Sequence, residues 1–349
     1  MPSLLTKRVI RSGGPYPGLI ISPKIGWRGG NNARAIGIRK TSHRWFLLFY
    51  VAVFSFGGAL SGGPIQAEES RMPALVRMGY SAKILSDVDL RDAQVAMDML
   101  TVELNRIITG SKVSTKCIIF QDTTSMIEAI NQQGIDMLTL TTLDYLRMKN
   151  RLYMDPFFVA ANQVKDGQQR LLIVRKDRGI NKVTQLKDRI VNGPSRLRDE
   201  ISLMWLDTLL AREEIPERAK FFQQVREVHK ASQAVLPVFF SQVDSALVKR
   251  SSFEMISALN LQLKEDLTIL ANSKSLLGDV FCVHKNLDES IKRALIEKAP
   301  KLHESPSGKQ LFTLLQVDRI IPFQPSYLDN LVELEKEHRA LPAGMVGRK

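Results

Sequence analysis

The sequence predicts an α/β protein built from two lobes, each with a doubly wound sheet. Between residues 75 and 145, three strand-like apolar segments alternate with three segments that have helical features. The same alternation starts again at Gln169, after a polar turn at 165–168. Ligands of doubly wound sheets bind beyond the carboxyl ends of the strands. We therefore expect the groove between the lobes to be the place where the protein acts.

The first lobe follows from apolar runs of strand length and from one long amphipathic pattern. Apolar side chains at helical spacing over 90–108 lie on one face, as a helix packed on a sheet requires. Asp122 and Thr141 stand where N-cap residues are expected. The predicted elements are, in order, a strand at 75–80, a helix at 90–108, a strand at 113–120, a helix beginning after Asp122, a strand at 135–140 and a helix beginning at Thr141.

The second lobe is predicted to begin with a βαβ unit, which implies parallel strands. Leu171 to Val174 is an unbroken apolar run, typical of a strand buried on both faces, and Ile190-Val191 is a second short strand. The chain then returns towards the first lobe through strands at 267–271 and 279–284. The remaining predicted elements are a helix at 198–212, a strand at 219–222, a helix at 229–240, a strand at 243–248, and helices at 288–298, 307–315 and 326–339.

This pattern predicts two lobes joined by a two-segment hinge, in which the chain crosses between the lobes near 162–169 and 278–284. The predicted parts are a basic leader at 1–67 that contains a secretory signal or anchor at 45–67, lobe 1 at 68–168, lobe 2 at 169–280, and a return to lobe 1 with C-terminal helices at 281–349.

The net charge of +13 comes mostly from the leader, because residues 1–44 hold nine Lys or Arg and no Asp or Glu. Without those nine, 40 basic residues face 36 acidic ones. A nearly balanced body removes the electrostatic argument for a nucleic-acid partner.

Residues 45–67 have the order of a secretory signal, which predicts an exported protein. An apolar segment at 45–60 follows the basic residues, and small residues precede the first acid, Glu68. The apolar segment is shorter than the roughly 20 residues that a membrane span needs. An uncleaved N-terminal anchor is the alternative, because Ile65 is bulky for its place before the cleavage point.

The two cysteines, Cys117 and Cys282, both lie in apolar strand-like segments. They are interpreted as small buried packing residues. A disulfide between them in an oxidising compartment is the alternative.

The sequence offers little catalytic chemistry. Its five His form no HExxH or HxxEH arrangement, and there is no GxSxG elbow. We therefore predict a protein that is not an enzyme and that has no catalytic residues, no metal site and no cofactor.

Helix N-termini at strand ends remain as candidate anion sites, because they present unpaired N–H groups and a partial positive charge. Tyr80 and Tyr145 are candidate walls of the groove. The candidate segments are the loop after Tyr80, Thr141-Thr142, Gly193 to Arg196 and the segment that starts at His229.

Segments across residues 74–339 together resemble a known family, the periplasmic substrate-binding components of phosphate, phosphite and phosphonate ABC transporters. The segments that carry the resemblance are Gly79-Tyr80, Phe120 to Gly134 with Ile135 to Leu138, Tyr145, Leu172 to Ile180, His229 placed before Val243-Asp244, Ser305 to Phe312, Ile320 to Phe323 and Tyr327 to Asp329. The resemblance implies the two-lobed periplasmic-binding-protein fold.

Carried over residue by residue, the resemblance implies ligand contacts at Tyr80, Thr141 or Thr142, Ser195 and His229. The chain departs from the family where phosphonate-binding members show Ser-Thr-Ser, since it has Gly193-Pro-Ser-Arg196. Arg196 and Lys249-Arg250 would supply charge in place of the missing hydroxyls.

The implied function is that of an extracytoplasmic solute-binding protein. It would be a monomer that binds a small phosphate- or phosphonate-like anion by hinge closure and delivers it to an inner-membrane ABC permease. The alternative is a ligand-sensing module of the same fold, tethered through residues 45–60, that reports to a signalling partner.

Overall fold

A computed structural model describes residues 75–85, 90–110, 113–164, 169–314 and 317–342. The predictions for the leader, the signal and the anchor concern residues 1–67, which lie outside these ranges. In the described ranges, no helix combines the length and apolar character that a membrane crossing needs.

The strands and helices of the described ranges alternate along most of the chain. The strands are β1 (Leu75–Ser81), β2 (Ser114–Phe120), β3 (Met137–Thr141), β4 (Met154–Ala160), β5 (Arg170–Arg175), β6 (Ile190–Gly193), β7 (Gln224–Glu227), β8 (Ser245–Lys249), β9 (Leu267–Asn272), β10 (Asp279–His284) and β11 (Ile320–Pro322). The α-helices are α1 (Leu90–Thr109), α2 (Thr123–Asn131), α3 (Thr142–Met148), α4 (Ala161–Val164), α5 (Glu200–Arg212), α6 (Arg218–Phe221), α7 (Ala231–Phe239), α8 (Arg250–Leu259), α9 (Gln262–Asp266), α10 (Glu289–Lys298), α11 (Pro306–Leu314) and α12 (Asp329–Ala340). Short 3-10 helices lie at Ala82–Leu85, Lys176–Arg178, Val183–Leu186, Ala299–Glu304 and Pro325–Leu328.

These strands form two separate sheets, as the predicted α/β class with two lobes requires. The first sheet has the order β11-β4-β10-β3-β1-β2, and the second has the order β7-β6-β8-β5-β9. The chain enters the second sheet after β4 and returns to the first at β10. Both sheets are mixed, because β10 runs antiparallel to its two neighbours in the first sheet and β5 does so in the second.

The predicted parallel βαβ unit at the start of the second lobe is wrong. β8 lies between β5 and β6, and it is antiparallel to β5 but parallel to β6. β5 and β6 therefore run in opposite directions. The apolar run of β5 correctly indicated a strand buried on both faces, but burial is the same whether the neighbouring strands are parallel or antiparallel.

The predicted strand at 219–222 is also wrong, because Arg218–Phe221 is helical. Phe221 and Phe222 are buried side by side, with ring centroids 4.8 Å apart, so their apolar character reflects core packing. The neighbouring strand is β7, which lies at the edge of the sheet and exposes three of its four residues.

The C-terminal helix α12 packs on α5 of the second lobe. Leu331 and Leu334 are buried in the same core as Trp205 and Leu206. Beside this core, the fully buried Asp207 carboxylate lies 2.6 Å from Arg218 Nε and 3.3 Å from His338 Nε2. This buried cluster joins α5, α6 and α12.

The two cysteines are free, so the disulfide alternative is wrong. Cys117 lies on β2 and Cys282 on β10, with β1 and β3 between them in the sheet. Three strand spacings of about 4.8 Å place them about 14 Å apart, whereas disulfide-bonded Cα atoms lie within about 7 Å.

We predict two free thiols with low reactivity in the native protein. Burial raises the pKa of both cysteines, and burial together with the Asp98 carboxylate raises that of Cys117 to about 11. Because the thiolate is the reactive form, DTNB should label the native protein at least about 100-fold more slowly than a small free thiol. In denaturant without reductant, two thiols per chain should react. Zero reactive thiols there would reveal an intramolecular disulfide and contradict the sheet order.

Candidate functional site

A groove lies between the lobes where strands of both sheets end, as predicted. The first lobe contributes Lys83, just after β1, and Thr141, at the end of β3. The second lobe contributes Arg170, Arg196 and Lys249. About 50 Å³ of space is available there to water-sized molecules. We call this space the interlobe groove.

A second space adjoins the interlobe groove within the second lobe. It lies at the carboxyl ends of β6, β7 and β8, and its lining includes Pro194, His229 and Lys249. Its volume is about 40 Å³. Three residues line both this sheet-edge pocket and the groove: Arg198, Asp199 and Lys249. The two spaces are therefore neighbouring parts of one region.

Basic side chains outnumber acidic ones in the lining of the groove. The basic residues are Lys83, Arg170, Arg196, Arg198 and Lys249, and the acidic residues are Asp144, Asp199, Glu200 and Asp279. Glu200 also binds Arg147, with N–O distances of 3.0 and 3.3 Å, and Arg147 is not part of the lining. Lys83 is paired as well, because its Nζ donates to both carboxylate oxygens of Asp144 at 2.9 Å. The positive charge available to an anionic ligand therefore comes from the second lobe's side of the groove.

Asp199 organises the charges on the second lobe's side. Its carboxylate lies 3.5 Å from Arg170 Nη2 and 3.9 Å from Lys249 Nζ. It also caps α5, accepting hydrogen bonds from Ser202 N at 3.1 Å and from Ser202 Oγ at 2.7 Å. Burial acts to raise the pKa of Asp199, but these two cations and the Ser202 hydrogen bonds outweigh it and lower the pKa. Asp199 is therefore the local counter-charge for Arg170 and Lys249.

Arg196 differs from the other cations of the groove. Its Nε is buried and makes no hydrogen bond with the described residues. Buried donors in folded proteins almost always have a partner, and the exceptions call for an explanation. A guanidinium group that lines a groove is suited to donate to a carboxylate, phosphonate or sulfonate oxygen.

Four of the predicted ligand contacts line this region. Thr141 and Arg196 line the interlobe groove, His229 lines the sheet-edge pocket, and Lys249 lines both. The Thr141 hydroxyl also caps α3 by accepting from Asp144 N at 3.1 Å. His229 is exposed, and its backbone N–H donates to Gln233 Oε1 at 3.1 Å.

Ser195 shapes the turn that carries Arg196 but lines neither space. Its carbonyl accepts from the N–H groups of Arg198 and Asp199, both at 3.0 Å. The turn thereby places Asp199 at the start of α5. In the structure, Ser195 acts through its backbone carbonyl and not through the predicted hydroxyl contact.

Three other predicted contacts build the first lobe and do not face the groove. Tyr80 is only 3% exposed and shares a hydrogen bond of 3.3 Å with Thr101, and burial raises its pKa. Thr142 is fully buried and donates to the carbonyls of Leu277 and Gly278. Tyr145 is 9% exposed and packs edge-on against Phe323. These side chains turn inward because β1 and α3 bury one face in the core of the lobe.

The sequence interpretation missed Lys83, Arg170, Arg198 and Asp199. Arg170 directly precedes the apolar run of β5 and is 1% exposed, so its place at the edge of a doubly buried strand was a usable signal. Asp199 gave a second usable signal. It stands three residues before Ser202 at the start of an apolar helix, and this is the spacing at which an N-cap side chain accepts from a backbone N–H.

The family described as ABC transporter, phosphonate, periplasmic substrate-binding protein matches residues 84–328. No protein of curated function matches the chain.

Three solved structures share the fold. A binding protein component of an ABC phosphonate transporter from Pseudomonas aeruginosa is 16% identical, with 76% of this chain and 87% of that chain covered and a TM-score of 0.56. PhnD1 from Prochlorococcus marinus, solved with methylphosphonate, is 13% identical, with 77% and 100% covered and a TM-score of 0.57. XAC2383 from Xanthomonas citri, solved with chloride, is 14% identical, with 76% and 97% covered and a TM-score of 0.55. The comparisons confirm the two-lobed periplasmic-binding-protein fold.

Proposed function

Because the chain belongs to the family of periplasmic substrate-binding proteins of ABC phosphonate transporters, we propose that it binds a small oxyanion in the interlobe groove and delivers it to an inner-membrane permease. The family is one of transport proteins, and the proposal assigns no reaction to the chain. The sensory alternative has less support, because the family match concerns transport.

The observation that carries the proposal is the buried Nε of Arg196, which makes no hydrogen bond with the described residues, in a groove lined by four further basic side chains and four acidic ones. A phosphonate or sulfonate offers several acceptor oxygens, and the planar guanidinium can bind two of them at once. Arg196 lies in the Gly193 to Arg196 segment, where the resemblance places hydroxyl contacts. A charged donor would replace those hydroxyls without loss of oxyanion recognition.

Contacts between the lobes support closure around the ligand. Leu143 of α3 is buried in the core of the second lobe, and Arg147 of α3 binds Glu200 of α5. The chain crosses between the sheets twice, after β4 and again between β9 and β10. The two crossing segments act as a hinge, and the contacts that α3 makes with the second lobe define the closed arrangement.

We expect one oxyanion to raise the unfolding temperature of the purified protein by several degrees. A ligand at a hundred times its dissociation constant adds about 2.7 kcal/mol to the free energy of unfolding. Thermal unfolding would be measured with millimolar phosphate, phosphite, methylphosphonate, aminoethylphosphonate and sulfate, with sodium chloride of equal ionic strength as the control. If none of these shifts the midpoint of the folded protein, the proposed oxyanion binding is wrong.

A further inference from the structure

The first lobe contains a cavity of about 200 Å³ between its sheet and the helices α1, α10 and α11. This volume is larger than the roughly 150 Å³ of a protein cavity that stays dry and binds benzene. The side chains that line it are predominantly apolar. They include Met97, Leu100, Leu104, Phe158, Leu295 and Phe312.

The cavity is adjacent to the interlobe groove, because two residues, Ile84 and Asp279, line both spaces. Ile84 lies in the 3-10 helix that follows β1. Asp279 begins β10 and pairs in register with Thr141, the last residue of β3. The meeting point is therefore the carboxyl end of β1 and β3, on the same edge as the cations of the groove.

The lining of the cavity contains few groups that could hold a polar ligand. Tyr80 and Thr139 contribute hydroxyls, and the Tyr80 hydroxyl is already bonded to Thr101. Asp279 is the only charged residue among those that line it, and it lies where the cavity meets the groove. A charged or strongly hydrated group would lose its water there without replacement, whereas an apolar group would gain by burial.

We propose that the ligand is an oxyanion with an apolar substituent, whose charged head binds in the interlobe groove and whose alkyl or aryl group enters the first-lobe cavity. This inference rests on the proposed function and specifies its substrate class. The volume suits a phenyl ring or an alkyl chain of about six carbons. A cationic groove that adjoins an apolar cavity matches both halves of such a molecule.

Calorimetric titration of methyl-, butyl-, hexyl- and phenylphosphonate tests the inference with a constant head group. Burial of each methylene should tighten binding about fourfold, until the cavity is full at about six carbons. Ala299→Phe places a ring in the cavity and should abolish this gain while leaving methylphosphonate binding unchanged. Ala340→Phe, at an exposed position on α12, is the matched control and should leave the whole series unchanged.

Unfolding temperature and methylphosphonate affinity show whether the Ala299→Phe protein is folded. If it is not, Leu100→Phe tests the same cavity from α1. Equal affinities along the series, or hexylphosphonate binding that survives a filled cavity, would overturn the inference while methylphosphonate binding still supports the proposed function. If no phosphonate and none of the inorganic oxyanions binds the wild-type protein, both the inference and the proposed function are overturned.

Discussion

Replacing Arg196 by alanine is expected to weaken oxyanion binding about 10- to 100-fold without lowering the stability of the ligand-free protein. Hydrogen bonds to charged groups contribute about 1.5 to 3 kcal/mol, which corresponds to this range of affinity. Stability should be maintained because the buried Nε of Arg196 has no hydrogen-bond partner among the described residues. Calorimetric titration gives the affinity, and thermal unfolding without ligand gives the stability.

Two further variants separate the geometry of Arg196 from its charge. Arg196→Lys should recover only part of the affinity, because an ammonium group cannot bind two oxygens in a planar fork. Arg178→Ala removes an exposed arginine of the same lobe and should leave the affinity unchanged. Wild-type affinity in the Arg196→Ala protein would show that the guanidinium does not touch the ligand.

The sequence predicted which segments are strands more reliably than how those strands pair. The bounds predicted for β10 match the structure, and those of α1 differ by one residue, because both have a clear apolar pattern. The direction of β5 depends on contacts with β8 and β9, which are distant in sequence. β4 was not predicted as a strand. It contains Pro156, which cannot donate a ladder hydrogen bond and lies at a register shift against β10.

The site could be predicted only in part, because it too depends on how neighbouring elements pack. The departure from Ser-Thr-Ser directed attention to Arg196 and Lys249, and both line the groove. Tyr80 and Tyr145 could not be assigned to the groove or to the core from sequence alone, because the face that a residue presents depends on the packing of neighbouring elements. Arg170 and Asp199 were missed because charges at the ends of strands and helices are usually solvated.

Asp199→Asn is expected to lower the free energy of unfolding by about 3 kcal/mol at pH 7. Removing one partner of a buried ion pair costs this much or more, and Arg170, which is 1% exposed, would lose the charge of Asp199. Asparagine caps helices about as well as aspartate, so α5 should keep its start. Chemical denaturation of wild type and variant measures the difference.

The loss of stability in Asp199→Asn should depend on pH. The folded pKa of Asp199 lies below its unfolded value, because Arg170, Lys249 and Ser202 outweigh the effect of burial. Such a group stabilises the fold above its unfolded pKa of about 4, and the stabilisation disappears as the pH falls through the folded pKa. The difference between wild type and Asp199→Asn should therefore be full at pH 7 and decrease at pH 3. A difference that is the same at both pH values would contradict the ionic origin.

The affinity of Asp199→Asn should change in the opposite direction from its stability. The Asp199 carboxylate lines both the groove and the sheet-edge pocket, where it repels an oxyanion and offsets the charge of Lys249 at 3.9 Å. Its neutralisation should tighten oxyanion binding at least about tenfold, because two unit charges up to about 12 Å apart near a protein surface interact by about 1.4 kcal/mol or more. Asp177→Asn, at an exposed carboxylate of the same lobe, should leave the affinity unchanged. If binding weakens in Asp199→Asn, the carboxylate accepts a hydrogen bond from the ligand, and the ligand must then carry a donor beside its anionic group.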